Sequence, residues 1–380
     1  MSDKRLLFLV NVDWFFVSHR LGIARAAIEK GYEVHVATTL TNQASIIQEN
    51  GLILHEVKMS RSGSKIIGNL KTFIRIIKIF REVNPKLVHL VTIKPVILGG
   101  IAARFMKIHG VIAAVSGLGS SFLDEGTLGK IKRFFIKRLY RISLSNSNIQ
   151  VICQNQNDIE DIQKISKLPL TNFSLIEGSG VSLTKFTYSE DNNEIPNVIM
   201  ASRLLRDKGV TEFAEAARLL KESNTNVNMI LVGETDPDNP SSITKSQVTS
   251  WKREGILEYW GHKEDMEKIL QKSSIVVLPS YREGFPKILI EAAACGRAVI
   301  TTDVPGCRDA IYDGVTGILV PEKNAVALAN SIKELVINPN CYREMGKRGR
   351  KMAENRFDVN NVISKHFKIY NQLLPTNNRA

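Results

Sequence analysis

The chain has 380 residues, 43% of them hydrophobic, and a formal net charge of +13 at neutral pH. Single cores stop growing near roughly 250–300 residues, so this length predicts two packed domains. The four cysteines (Cys153, Cys295, Cys307, Cys341) form neither a C-x-x-C pair nor a dense framework, which argues against a structural zinc site and for a reducing compartment.

The first half alternates short apolar runs with helical patterns: LLFLVN (6–11), VHVAT (34–38), LILHEV (52–57), LVHLVT (87–92), VIAAVS (111–116) and QVICQN (150–155). Such alternation predicts a parallel sheet wrapped by helices. Asn11 and Asp13 interrupt the first run before it reaches signal-peptide length, so it reads as a buried strand. The apolar stretch 95–103 is closed by Arg104 and Lys107, well short of the roughly 18 residues a membrane span needs.

Two segments of this half carry much of the charge. In 65–81, Ile66, Leu70, Phe73, Ile77 and Phe80 are expected to form the core stripe, with Lys71, Arg75 and Lys78 on another face. In 130–141, Ile131, Phe135 and Leu139 oppose Lys130, Arg133, Lys137 and Arg141. Residues 1–190 hold 25 Lys+Arg against 14 Asp+Glu, whereas residues 191–380 hold 26 against 24. Two basic helices in one domain point to an anionic surface, either phospholipid headgroups or a diphosphate-bearing acceptor. Nucleic acid is the competing polyanion, but no helix-turn-helix, zinc-finger or RNP-like pattern accompanies the charge.

The polar stretch 188–197 reads as a linker, and a second series follows: VIMASR (198–203), NMILVG (228–233), SIVVLPS (274–280), AVITTD (298–303) and GILVP (317–321). The expected division is therefore α/β throughout: a Rossmann-like domain over 1–190, another over 191–358, and a terminal amphipathic helix and tail over 359–380. Neither domain's first strand is followed by G-x-G-x-x-G, which argues against a dinucleotide oxidoreductase. Instead, Arg203 and Lys208 flank a short loop ahead of the helical pattern 210–220. They aim two cations and a helix N-terminus at one place, as a diphosphate requires. In EGFPKILIE (283–291), Glu283 falls in a loop after a strand and Glu291 within the next helix. Carboxylates at the mouth of a parallel strand suit vicinal sugar hydroxyls.

SRLLRDKG (202–209), LVGE (231–234), YWGH (259–262), the run 278–311 and GVTGILV (314–320) together resemble the carboxyl-terminal half of the retaining GT-B glycosyltransferases of family 4. The E-x7-E element is that family's signature, and the ordered agreement spans roughly 120 positions. VSHRL (17–21), TIKPVILGGIAAR (92–104), SGLGSSFLDEG (116–126) and VGETDPDNPSS (232–242) are similar to its CapM/PglA-like branch of capsule, O-antigen and protein-glycan transferases.

The resemblance implies a GT-B fold, two Rossmann-like domains facing across a cleft, and an enzyme of the hexosyltransferase class. It implies transfer of an N-acetylhexosamine from a UDP-sugar donor to a lipid-linked saccharide acceptor on undecaprenyl diphosphate, with no cofactor and no metal. Arg203 and Lys208 would neutralise the leaving diphosphate. Glu291 would bind the ribose hydroxyls and Glu283 would stand beside the donor sugar, with the backbone amides of Gly284 and Phe285 holding sugar or phosphate oxygens. The loop after the first strand lacks the family's glycine pair, so Ser18 and His19 are expected to replace its backbone contacts. His19 would meet the donor phosphate or the acceptor, and Arg20 and Lys94 the acceptor diphosphate. The D-x-D at 236–238 lies in a turn-rich stretch and reads as structural or as a rim contact with the donor. The expected location is cytoplasmic, peripheral on an anionic inner-membrane face, without nucleic acid. Two readings compete: a non-catalytic nucleotide- or nucleic-acid-binding protein, and a GT-B epimerase or phosphorylase.

Overall fold

The computed structural model describes residues 4–59, 66–117, 127–237 and 239–374, with backbone alone at 66 and 127–132. Lys130, Asp238 and most of the motif 116–126 thus lie outside the described side chains. The chain divides into two compact units, Met1–Ser179 with Asn360–Ala380, and Gly180–Val359.

The first unit is built on seven parallel strands: β1 (Arg5–Val12), β2 (Glu33–Thr39), β3 (Ile53–Glu56), β4 (Leu87–Val91), β5 (Gly110–Val115), β6 (Ile149–Cys153) and β7 (Phe173–Leu175). Their order is β3-β2-β1-β4-β5-β6-β7, in register from Leu6↔Val34 on one side of β1 to Leu6↔Leu87 on the other. A parallel sheet covered on both faces has no polar side, and β5 is buried at every position. Alternate residues of β1 therefore serve two cores. Leu7 and Leu9 pack with Ile76, Phe80, Val96 and Tyr140, while Leu6, Phe8 and Val10 pack with Ile23, Ala24, Val362 and Tyr370.

This second core answers where the terminal helix goes. Helix Val359–Leu373 docks on the first unit, where Tyr370 Oη lies 2.7 Å from His89 Nδ1 and Asn148 Nδ2 donates to the Leu373 carbonyl at 2.9 Å. The expected linker moves as well. Stretch 188–197 belongs to the second unit because Tyr342 Oη donates to Asp191 at 2.8 Å and buried Arg297 donates to the Ser189 carbonyl at 2.9 Å.

The two basic helices, Ile66–Val83 and Thr127–Ser143, form as predicted, and their buried stripes match the expected ones only in part. Leu70 is 57% exposed and Phe135 59% exposed, with Leu139 also at the surface. In the first helix Phe80 is buried as expected and Phe73 and Ile77 pack against the core, joined by Ile76, Ile79 and Val83; in the second, Tyr140 faces the core instead. Apolar residues are so dense in these helices that two stripes share the 3.6-residue period, and packing on the sheet selects one. The other stripe stays exposed. Among the described residues, no helix is long and apolar enough to cross a membrane.

The second unit has six parallel strands: β8 (Asn197–Ala201), β9 (Asn228–Val232), β10 (Glu258–Gly261), β11 (Ile275–Leu278), β12 (Ala298–Thr302) and β13 (Gly317–Val320), in the order β10-β9-β8-β11-β12-β13. Both sheets are doubly wound. Their strand order reverses between β1 and β4 in the first unit and between β8 and β11 in the second. Open sheets bind ligands beyond the carboxyl ends of such strand pairs.

Candidate active site

In the second unit, β8 leads through Ser202–Leu205 and a tight turn, Arg206–Lys208, into helix Val210–Glu222. Buried Val210, Phe213, Ala214, Ala217 and Leu220 fix that helix on the sheet. Gly209 joins turn to helix at φ +77°, and a Cβ there would strike the Pro279 carbonyl, so only glycine satisfies both the dihedral and the space.

β11 ends at the facing loop, which runs to Pro286 before helix Lys287–Ala294. The Tyr281 amide donates to the Asp207 carbonyl at 2.9 Å, and Tyr281 Oη donates to Glu212 at 2.6 Å. Burial, then that Glu212 bond, pushes the Tyr281 phenol well above its usual range. Ser280 Oγ lies 2.8 Å from Glu283 Oε1 and 3.1 Å from the Asp207 carbonyl, so its proton ties one loop to the other.

These bonds deliver Lys208 and Glu283 to one point: Lys208 Nζ pairs with Glu283 Oε1, both side chains being mostly shielded. Gly306 presses on the backbone carbonyls of Glu283 and Gly284, where any Cβ would collide. The Phe285 ring is buried edge-on against Phe357, centroids 5.5 Å apart, so this residue can offer a ligand its backbone only. Arg203 pairs with Asp236 of the β9 loop at 3.2 Å. Glu291 has a different partner from Glu283: it is buried in its helix and held by Lys287 Nζ at 3.0 Å. Burial raises its carboxyl above the ordinary range, with Lys287 opposing. Among the described residues, no group of His, Cys, Asp or Glu is placed to hold a metal ion.

In the first unit the expected loop after β1 is a helix, Asp13–His19. Sequence reasoning missed Asp13, which ends the strand and fixes the turn. Its buried carboxylate accepts from Trp14 N (2.8 Å), Thr41 N (2.6 Å), Thr41 Oγ1 (2.5 Å) and Gln43 N (3.2 Å). Burial pushes this acid up, but the four bonds together bring it below its usual range. Ser18 is exposed, and the His19 ring stacks on Phe15 at 4.0 Å.

The expectation for Arg20 is overturned. Its side chain is 3% exposed, donates to the His19 carbonyl at 2.9 Å and lies among His89, His366 and Tyr370. The helical turn after β1 rotates it inward, and burial lowers its pKa to about 10. Lys94 lies in the first turn of helix Ile93–Phe105 after β4, its amine lowered by partial burial. The residue before that helix, Thr92, has φ 75° and ψ 167°, a strained conformation for a β-branched side chain. Ser18, His19 and Lys94 thus follow the two strands between which this sheet's order reverses.

Comparison with known proteins shows the family. Residues 184–352 match the family described as glycosyl transferases group 1, and residues 5–156 match glycosyl transferase 4-like. The N,N'-diacetylbacillosaminyl-diphospho-undecaprenol alpha-1,3-N-acetylgalactosaminyltransferase of Campylobacter jejuni is 30% identical, over 97% of this chain and 99% of that one. The capsular polysaccharide biosynthesis glycosyltransferase CapM of Staphylococcus aureus is 25% identical over 98% of each. The Anabaena protein HepE, solved in complex with UDP, superposes with a TM-score of 0.76 at 16% identity, over 97% of this chain and 99% of that one. The chain belongs to the family 4 glycosyltransferases of GT-B fold, and it is a transferase of sugars.

Proposed function

We propose that this enzyme moves an N-acetylhexosamine from a UDP-sugar to an undecaprenyl-diphosphate-linked saccharide, with retention, in the assembly of a surface polysaccharide or a protein-linked glycan. The observation that carries the reading is the placement of Arg203, Lys208 and Glu283 on the segments that follow β8 and β11, with Lys208 paired to Glu283. Two cations beside a helix N-terminus suit a diphosphate, and a carboxylate within reach of one of them suits the sugar's hydroxyls. Glu291 accepts the ribose hydroxyls. HepE is a neighbour in fold solved with UDP, and the Campylobacter relative is named for a diphospho-undecaprenol acceptor.

In the reaction, the acceptor oxygen forms its bond to the anomeric carbon on the face from which the phosphate leaves. The bond from that carbon to the phosphate oxygen breaks, and the acceptor proton passes to the departing phosphate. Lys208 and Arg203 stabilise the charge that develops there, which lowers the barrier only insofar as it is stronger than in the ground state. No nucleophilic carboxylate is required, in contrast to the paired acids of retaining glycosidases.

The acceptor is a membrane lipid, and the first unit offers a peripheral docking face. Exposed Ile67, Leu70 and Ile74 on one helix, and Phe134, Phe135 and Leu139 on another, are interleaved with Lys71, Arg75, Lys78, Arg133 and Lys137. Vesicles containing phosphatidylglycerol should sediment the protein and release it at high salt, each basic residue contributing about 1 kcal/mol. Capture unaffected by reversing those five charges would remove this face from the proposal.

A panel of UDP-sugars with an undecaprenyl-diphosphate-linked saccharide, read by mass, tests the whole reading. The expected result is one N-acetylhexosamine added, with UDP released only when acceptor is present. Acceptor-independent UDP release, or preference for an unsubstituted hexose, would overturn it.

A further inference from the structure

Both cations of the donor site already hold a carboxylate. Lys208 holds Glu283 from the neighbouring loop, and Arg203 holds Asp236 from the loop after β9. The second pair is built asymmetrically. Asp236 is 17% exposed and its own backbone is held at both groups: its amide donates to Ser242 Oγ at 2.9 Å, and its carbonyl accepts from Asn239 N at 2.8 Å. That loop is laced to the Arg203 segment by backbone bonds from Leu204 N to Glu234 O (2.9 Å), from Ile243 N to Leu204 O (2.8 Å) and from Arg206 N to Ser241 O (2.8 Å). Arg203 itself is 49% exposed. The acid is therefore anchored, while the guanidinium, on a long and half-solvated side chain, can change partners.

We propose that Asp236 is a positioning residue that occupies Arg203 in place of the diphosphate whenever the donor site is empty, and so promotes departure of the nucleotide product. The inference rests on the reading that Arg203 meets the donor diphosphate. Its physical basis is a difference in charge between product and donor. UDP ends in a free phosphate, whereas in the UDP-sugar that phosphate is esterified, so the product carries the greater negative charge. A fixed carboxylate beside the shared cation repels the product more than the donor, and recaptures Arg203 as UDP leaves. A residue that merely supported the loop would have no such preference.

The test is calorimetric UDP binding and donor KM in the full-length enzyme and in Asp236→Asn, which keeps the shape and the backbone bonds. Asp236→Asn should bind UDP roughly two- to fivefold more tightly, the range of a partly exposed ion pair. Its donor KM should change less, and product inhibition should become stronger. Asp236→Glu should return UDP affinity toward wild type, and in an Arg203→Ala background the effect should shrink to what direct repulsion by the carboxylate leaves. Equal weakening of UDP and donor, or unchanged UDP affinity, would overturn the role of Asp236. If Arg203→Ala alone leaves UDP binding unchanged, the placement of the diphosphate on Arg203 fails first, and that outcome is distinguishable from a failure confined to Asp236.

Discussion

Arg20 and Arg203 each follow the strand on which their unit's order turns, and they end in opposite environments. Arg203 leaves β8 on a loop, is half exposed and meets a carboxylate. Arg20 comes after a helical turn that begins directly at the end of β1, and is buried against His89, His366 and Tyr370 with a backbone carbonyl as its hydrogen-bond acceptor. A cation near a strand end therefore serves a ligand site only if the backbone leaves the sheet as a loop. In the second unit, polar groups converge on solvent; in the first, part of the polar chemistry is spent on attaching the terminal helix.

Acid should break the first region hardest. His89 is held well below the usual histidine range by burial, then by His366 and Arg20. His366, whose Nδ1 lies 2.8 Å from the Val362 carbonyl, is lowered to about 3 by burial and then by Arg20. Both are neutral in the folded chain and protonate freely once it unfolds. Unfolding thus gains protons as pH falls below about 6.5, and the stability present above that value is lost progressively until the folded pKa is reached. Each histidine costs roughly 1.4 kcal/mol per pH unit, about 4 kcal/mol for the two by pH 5. Thermal melts should show this slope, and His366→Phe should roughly halve it. A flat profile between pH 7 and 5 would remove the histidines from the account. Glu291 acts in the opposite sense: burial raises its folded pKa, so protonation favours the folded state and acid relieves a strain there.

In the second region, Glu291→Ala should leave the fold intact and weaken UDP by about 1.5–3 kcal/mol, the range for hydrogen bonds to a charged group. Calorimetry reads this directly, and unchanged affinity would take the ribose away from Glu291. The smallest effect concerns two of the places where the backbone enters the left-handed region beside a ligand crevice. Gly209 does so at no steric cost in the second unit, whereas Thr92 does so under strain in the first. Thr92→Gly should relieve more strain than it adds chain entropy, a net stabilisation of about 1 kcal/mol. A lower denaturant midpoint would show that the threonine side chain contributes more than its backbone costs.

The sequence carried the sheet interiors plainly, because parallel strands covered on both faces must be continuously apolar. It concealed β7 and β10, short edge strands that are only partly buried and so need little apolar signal. The places of Arg203, Lys208 and Glu283 between a strand and the next helix, and of Glu291 within such a helix, were legible because each lies in a recognisable run. The pairing of Lys208 with Glu283 was not, since it depends on β8 and β11 becoming neighbours. Nor was the capture of Arg203 by Asp236, which a turn-rich D-x-D disguised. Arg20, Asp13 and the exposed ring of Phe135 share one cause: helix phase and the start of a helix are decided by packing, and one residue of rotation turns a ligand-facing group into a core one.

The central claim is that Arg203 and Lys208 act on charge formed as the sugar leaves UDP. Single-turnover kinetics of Lys208→Ala and Arg203→Ala, set beside donor affinity measured by calorimetry, test it most directly. Lys208→Ala should lower the chemical rate by roughly 10²–10³ while donor affinity changes by less than about tenfold, with Arg203→Ala following in the same sense. A raised donor KM at unchanged kcat in both variants would contradict it, because the two cations would then bind the ground state alone.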